Sequence, residues 1–125
     1  MRLTALRRAR AGSVALHFLR AGGGVTELGC AELKRRAYAF ARALRGLGIG
    51  TGDRACVLAG RLPALAVSVL GALKNGSVVK LLFSAFGPEA IATRTNRGAA
   101  RVPVTTEAPY RRKVERMRDK ECATP

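Results

Sequence analysis

The stretch GALKNGSVVKLLFSAFGPEAIATRTNR, residues 71–97, decides the fold. Asn75-Gly76 is typical of a helix end, because glycine readily adopts the left-handed conformation that closes helices. An apolar strand is expected over residues 77–83, and Pro88 stands where proline commonly starts the next helix. This order predicts a parallel α/β unit, a fold in which ligands usually bind at the carboxyl end of a strand.

The preceding segment extends this unit. Residues 54–59 form a compact apolar strand between glycines, and residues 63–74 predict a helix that begins at Pro63. The helix is apolar all round, which predicts burial on most of its sides. Together with the strand at residues 77–83 they form a strand-helix-strand crossover with two adjacent parallel strands. Lys80 lies in the middle of the second strand, so we expect either an ammonium in water at the open strand end or an acidic partner.

The N-terminal part predicts a hairpin and an amphipathic helix. Residues 13–20 and 25–30 have the pattern of short strands, and the glycine-rich link between them permits a tight reversal. This link lacks the spacing of a phosphate-binding loop. His17, the only histidine, is expected in a structural or solvent-facing position. From residue 31 apolar side chains recur at steps of three and four, which predicts a helix that ends near Gly48.

The C-terminal part predicts a third strand and a last helix. Residues 101–106 have strand character, and Pro103 favours an edge position or a strained strand, because proline donates no hydrogen bond to a neighbouring strand. Residues 110–120 predict a charged helix with few apolar positions. The fold class is therefore α/β: a hairpin followed by βαβαβ with parallel strands, which forms a partial doubly wound sheet.

Composition limits the possible functions. The chain has 125 residues, 48% of them apolar, and a net charge of +15. The apolar content predicts a folded domain rather than a disordered chain. The charge is spread along the whole chain without a single basic stripe, which disfavours specific nucleic-acid recognition, whereas non-specific binding of polyanions is expected. No apolar run reaches the roughly 20 residues of a membrane span.

Cysteine usage and the N-terminus bear on the compartment. Cys30, Cys56 and Cys122 are far apart and form no C-x-x-C pair, which favours a reduced, cytoplasmic setting. The basic residues 1–12 superficially resemble a mitochondrial presequence but contain few hydroxyl residues. We interpret them as an irregular start outside the domain.

The sequence contains none of the short catalytic motifs. H-E-x-x-H, G-x-S-x-G and Walker patterns are missing, and Cys, His and carboxylate residues do not cluster at spacings that suggest a metal site or a nucleophile. The residues by themselves therefore indicate no reaction centre.

Four blocks of sequence carry a family resemblance. They are AELKRRAYAFARALRGLGIGTGDR at residues 31–54, GALKNGSVV at 71–79, LFSAFGPEAIATR at 82–94 and VTTEAPYRRKVERMRD at 104–119. In this order and spacing they resemble the N-terminal domain of the AMP-forming acetyl-CoA and propionyl-CoA synthetases, which belong to the acyl-adenylate-forming superfamily. The resemblance implies a partial synthetase domain over residues 13–120, with residues 121–125 as a tail outside it.

The resemblance implies a two-step reaction that uses ATP, Mg²⁺ and CoA. A carboxylate attacks the α-phosphate of ATP to give an acyl-adenylate and pyrophosphate, and the CoA thiol then displaces AMP. The chain lacks the family's Ser/Thr/Gly-rich loop for the ATP phosphates and the C-terminal domain with its acyl-activating lysine. We therefore expect a truncated acetate- or propionate-CoA ligase that is inactive alone, with the remainder of the synthetase domain missing.

The resemblance also implies part of a CoA site. The positions that match it are Phe83, Ser84, Ala85, Arg111, Arg112 and Lys113. The strand-end loop would lie near the CoA adenine, on which an aromatic ring stacks, and the basic triplet would face the CoA phosphates. From the residues alone, the alternative is that Phe83 is a core residue and that the triplet is the solvated face of a helix. A free-standing CoA- or nucleotide-binding module and a basic nucleic-acid-associating protein remain the alternative functions.

Overall fold

The computed structural model describes residues 12–60 and 62–115. The chain begins with an antiparallel hairpin of β1 (Val14–Leu19) and β2 (Val25–Gly29), which confirms the prediction for this region. Gly23 in the link has a φ of 84°, a conformation that favours glycine. His17 is exposed on β1, and its Nδ1 lies 3.3 Å from Oε1 of Glu27 on the paired strand.

A three-stranded parallel sheet forms the centre of the fold. β3 (Arg54–Leu58) lies between β4 (Val78–Leu81) and β5 (Val102–Thr105). The central strand is the most apolar of the three and is buried over four of its five residues. Pro103 lies on β5, at an edge of the sheet, as its missing N–H predicts. β4 is shorter than the predicted strand, because the chain turns away from the sheet after Leu82.

Helices cover both faces of this sheet. They are α1 (Cys30–Gly46), α2 (Pro63–Asn75) and α3 (Pro88–Arg97). One core cluster contains Leu44 and Ala72 from the first two helices, and a second contains Ile91 from α3 with alternate residues of β3. Because successive side chains of a strand point to opposite faces, the two clusters lie on opposite sides of the sheet. This arrangement confirms the α/β class with a partial doubly wound sheet.

The predicted amphipathic face of α1 is observed. Its buried residues recur every three or four positions, and they are Cys30, Leu33, Ala37, Ala41 and Leu44. Spacing of this kind places side chains on one stripe of a helix. The opposite side carries an exposed basic surface, in which Glu32 accepts hydrogen bonds from Arg35 and Arg36.

The expectation that α2 is buried on most sides is wrong for the described residues. Only Ser68, Gly71, Ala72 and Asn75 are buried, and most of the other α2 side chains are half-buried. Among the described elements, α2 packs against α1, β3 and β4. The predicted helix end is correct, because Gly76 closes α2 with a φ of 83°.

Of the two arrangements expected for Lys80, an acidic partner is not found among the described residues, and the ammonium lies in an exposed position. The Lys80 ammonium donates a hydrogen bond to the carbonyl oxygen of Arg94, at 2.8 Å, in the last turn of α3. The carbonyl groups at a helix C-terminus carry partial negative charge, so they can accept a lysine without a carboxylate. Lys80 therefore links β4 to the covering helix.

The described chain ends in a short helix, α4 (Glu107–Pro109), which continues into a π-helical turn at Tyr110–Val114. The helix predicted for residues 110–120 thus begins three residues earlier, and residues 116–120 lie outside the described part. Three further parts of the prediction lie outside the described residues. They are residues 1–11 of the predicted irregular start, the predicted tail at residues 121–125, and Cys122. In the described ranges no helix has both the length and the hydrophobicity needed to cross a bilayer.

Candidate functional site

The carboxyl ends of the parallel strands define the candidate site. β4 ends at Leu81 and continues into the loop of residues 82–87, and β5 ends at Thr105 and continues into residues 106–115. Since parallel strands end at the same edge of their sheet, both segments emerge there. The structure therefore brings the two groups of site residues predicted from the sequence to one edge of the fold.

Phe83 is an exposed residue of the loop and does not belong to the described core. Its side chain is 62% exposed. Its carbonyl oxygen accepts a hydrogen bond from the amide of Phe86 at 3.1 Å, which closes a tight turn with Ser84 and Ala85 at the exposed tip. The Phe83 ring stands nearly perpendicular to the Phe86 ring, with ring centroids 5.8 Å apart and an interplanar angle of 81°.

Phe86 anchors the same loop. Its ring is half-buried against the core cluster of Cys56, Leu58, Leu82 and Ile91. The ring also contacts Arg94. The guanidinium carbon of Arg94 lies 4.0 Å from the centroid of the Phe86 ring, a distance typical of a cation–π interaction. Phe86 was not among the site residues predicted from the sequence. Its position directly before Gly87-Pro88, where α3 begins, is the sequence signal that could have indicated it.

Lys113 connects the two segments of the site. Its Nζ donates hydrogen bonds to the carbonyl oxygen of Ser84 and, at 2.7 Å, to the carbonyl oxygen of Phe86. Both acceptors belong to the loop, and the lysine follows β5 by eight residues in the chain. The ammonium predicted to face a CoA phosphate is thus directed at backbone carbonyl groups.

The two arginines of the basic triplet differ from this lysine. Arg111 forms an exposed ion pair with Glu107, with Nη2 and Oε1 2.6 Å apart. Arg112 is exposed and has no ion-pair partner within residues 12–60 and 62–115. Both arginines line an open pocket at this edge, whose other lining residues are Leu62, Thr106, Glu107 and Ala108.

The groups at this edge are of kinds that can bind a ligand. An exposed aromatic ring can stack on a planar base, and an unpaired guanidinium can bind phosphate through two parallel hydrogen bonds. The thiol of Cys56, on the central strand, is buried, and burial raises its pKa, so it stays protonated at neutral pH. Among the described residues no group of three His, Cys, Asp or Glu side chains could hold a metal ion.

The fold and this edge define a class of protein. The chain belongs to the AMP-binding enzyme family, which it matches over residues 4–124. Among curated proteins it is 34% identical over 99 residues to an acetyl-coenzyme A synthetase of Streptomyces coelicolor, a match that covers 79% of this chain and 15% of the relative. It is also 35% identical over 80 residues to a 3-hydroxypropionyl-coenzyme A synthetase of Metallosphaera sedula, covering 63% of this chain and 12% of that protein.

Solved structures agree with this assignment. An acyl-CoA synthetase of Brucella canis superposes with a TM-score of 0.78 at 32% identity, over 85% of this chain and 20% of that one. A benzoate CoA ligase of Burkholderia xenovorans gives a TM-score of 0.77 at 27% identity, and the match covers 91% of this chain and 22% of that ligase. The resemblance inferred from the four sequence blocks is confirmed. The chain spans about 15% of the length of the Streptomyces relative.

Proposed function

We propose that this chain forms the N-terminal, CoA-facing part of an AMP-forming acyl-CoA ligase, with a domain over residues 13–120. The whole enzyme would join a carboxylate to the α-phosphate of ATP, release pyrophosphate and transfer the acyl group from AMP to the CoA thiol, with Mg²⁺ on the phosphates. Family membership and the names of the relatives support the reaction class. Acetate or propionate as the acid is supported by the similarity to acetyl-coenzyme A synthetases.

The observation that carries the proposed binding role is the exposed Phe83 ring at the carboxyl edge of the sheet. A large apolar ring with 62% of its surface in water gains free energy when a flat heterocycle covers it. Adenine supplies such a surface. Arg112 leaves the same edge of the sheet without a described ion-pair partner, which suits it to a phosphate of the same coenzyme.

The chemical steps would need residues beyond this sequence. ATP activation in the family depends on a phosphate-binding loop and an acyl-activating lysine, and neither motif occurs in the 125 residues. We expect no acetate-dependent release of pyrophosphate from this chain in the presence of ATP and Mg²⁺. The two described cysteines are free thiols, which accords with a cytoplasmic enzyme.

Calorimetric titration with CoA tests the binding role. We expect weak but saturable binding, and we expect Phe83→Ala and Arg112→Ala to weaken it. Arg42→Ala is the matched control, because Arg42 is exposed on α1 and its loss changes the net charge equally. No binding at millimolar CoA would refute the proposal.

The same titration separates the alternatives. Equal losses for Arg112→Ala and Arg42→Ala would indicate that CoA is held only as a polyanion, by the overall charge of +15. Submicromolar CoA binding by the chain alone would favour a free-standing coenzyme-binding module. Tighter binding of a DNA duplex than of CoA, with an affinity that falls steeply with salt, would favour the nucleic-acid alternative.

A further inference from the structure

We propose that Lys113 is a positioning residue that holds the loop of residues 82–87 and so presents the Phe83 ring, and that it does not bind a CoA phosphate itself. This inference rests on the proposed function, in which Phe83 stacks on the adenine. It changes the role of Lys113 from a ligand contact to a clamp within the protein.

The hydrogen bonds of the Lys113 ammonium support the clamp. Two of its three N–H donors point to loop carbonyl oxygens, those of Ser84 and Phe86, and the second bond measures 2.7 Å. Hydrogen bonds from a charged donor are stronger than those between neutral groups. While both loop bonds are kept, only one N–H donor of the ammonium is left for any other acceptor, so the main partners of Lys113 are the loop carbonyl groups.

Both ends of the clamp are fixed. The side chain of Val114, next to Lys113, packs against the core cluster that contains Ile91. At the other end, Phe86 packs against the same cluster and carries Arg94 over its ring. The lysine therefore joins two segments that rest on one core, and the exposed tip between Phe83 and Phe86 is held from its carbonyl side.

The clamp has a consequence for binding. When a loop becomes ordered only on ligand binding, it loses conformational entropy, and this loss lowers the affinity of the protein for the ligand. Because Lys113 orders the tip beforehand, its loss should weaken contacts made through Phe83 more than contacts made through Arg112. Lys113 and Phe83 should accordingly be coupled in a double-mutant cycle, whereas Arg112 and Phe83 should act additively.

The first experiment measures the loop without any ligand. In the 125-residue chain, Lys113→Met keeps a side chain of similar length and removes the donors. We expect chymotrypsin to cleave after Phe83 at least about tenfold faster in this variant, because the loss of even one of the two charge-assisted hydrogen bonds corresponds to that factor. Lys34→Met, an exposed α1 variant with the same charge change, should cleave at the wild-type rate. Urea unfolding of both variants verifies that the global fold is retained.

An unchanged cleavage rate in Lys113→Met would overturn the clamp. If the urea midpoint of Lys113→Met falls, a hydrogen-exchange measurement replaces the protease measurement. It compares the protection of the amides of residues 84–87 with that of the amides of β3. Selective loss of protection in the loop supports the clamp, and uniform loss across the sheet overturns it.

The second experiment measures CoA. We expect Lys113→Met to weaken CoA binding in the otherwise wild-type chain. In the Phe83→Ala variant, the same substitution should change the CoA affinity little further. Weaker CoA binding with unchanged loop protection would mean that Lys113 contacts the coenzyme directly, and it would overturn the inference. Failure of the wild-type chain to bind CoA would refute the proposed function instead, whatever the loop measurements show.

Discussion

Gly71 of α2 lies directly against Phe40 of α1. A Cβ atom built on Gly71 would stand 2.7 Å from Cδ1 of Phe40 and 2.8 Å from the carbonyl oxygen of Ala37. The aromatic ring could rotate away, but the carbonyl belongs to the backbone of a packed helix and cannot. The close approach of the two helices on this face of the sheet therefore depends on the missing side chain.

Gly71→Ala should destabilise the fold. The added methyl group would force the helices apart at a cost of about 1–3 kcal/mol, of which up to about 1 kcal/mol is offset by the higher helix propensity of alanine. Urea unfolding followed by circular dichroism measures the change. Gly46→Ala is the control, since Gly46 is also helical and nothing lies within 4 Å of its added Cβ. That variant should be neutral or slightly more stable, and equal losses in both would contradict the close-contact argument.

Asn75 is the polar centre of the junction between α1, α2 and β4. It is 3% exposed, and its Nδ2 donates to the carbonyl oxygen of Ile49 and to Oγ of Ser77, each at 2.9 Å. Its Oδ1 accepts from Nε of Arg45 at 2.9 Å. All three polar contacts would be lost in Asn75→Ala.

The Asn75→Ala variant should lose about 2–3 kcal/mol of unfolding free energy, because a buried carbonyl and a guanidinium N–H would be left without their partner. Asn96→Ala is the control, because Asn96 is exposed on α3 and water can take the place of its side-chain amide after the substitution. Thermal and urea unfolding of the pair would test this. A similar stability for both variants would show that water reaches the Asn75 position.

Acid stability should depend on Asp53. The amide of Gly50 donates to Oδ2 at 2.8 Å and Nη1 of Arg101 donates to it at 2.9 Å, and these contacts hold the pKa of Asp53 below its usual range. Because the pKa is lower in the folded than in the unfolded chain, Asp53 stabilises the fold above the unfolded pKa of about 4, and this contribution is lost as the pH falls through the folded pKa.

We therefore expect Asp53→Asn to be less stable than the wild type at pH 7 and the difference to shrink towards pH 3. Unfolding by urea at a series of pH values measures it. Glu115→Gln, an exposed change at the end of the described chain, is the control for the loss of one carboxylate from the surface. A difference that stays constant from pH 7 to pH 3 would exclude a role for the ionised carboxylate.

Local residues explain how much of the fold could be predicted. Gly76, Pro88 and Pro103 act through their own backbone conformation, so the helix end, the helix start and the edge strand follow from the residue type at each position. The parallel pairing of β3 with β4 follows because the two strands are joined through a helix. The position of β5 does not follow in this way, since β5 pairs with β3 and not with β4, which precedes it in the chain. The half-buried state of α2 could not be predicted, since it depends on how many neighbours the fold supplies.

The roles of the candidate site residues could not be predicted from the sequence. The family resemblance pointed to Phe83 and to the triplet that ends in Lys113, and the structure brings these segments to one edge of the sheet. The lysine bonds to a carbonyl 29 residues away in sequence. No periodicity or motif reports such a contact, and charge alone suggested a phosphate ligand. The same limit applies to Lys80, whose partner is a helix carbonyl rather than a carboxylate.

The two aromatic residues of the loop allow a last test, in which exposure separates binding from stability. Phe83 is 62% exposed, so Phe83→Ala should change the unfolding free energy by less than about 1 kcal/mol while weakening CoA binding. Phe86 packs against the core and under Arg94, so Phe86→Ala should cost about 2–3 kcal/mol, somewhat less than for a fully buried phenylalanine. Unfolding in urea and CoA titration of both variants are the measurements. If Phe83→Ala proved the more destabilising of the two, Phe83 rather than Phe86 would be the loop's anchor, and the ring assigned to the adenine would not be available to it.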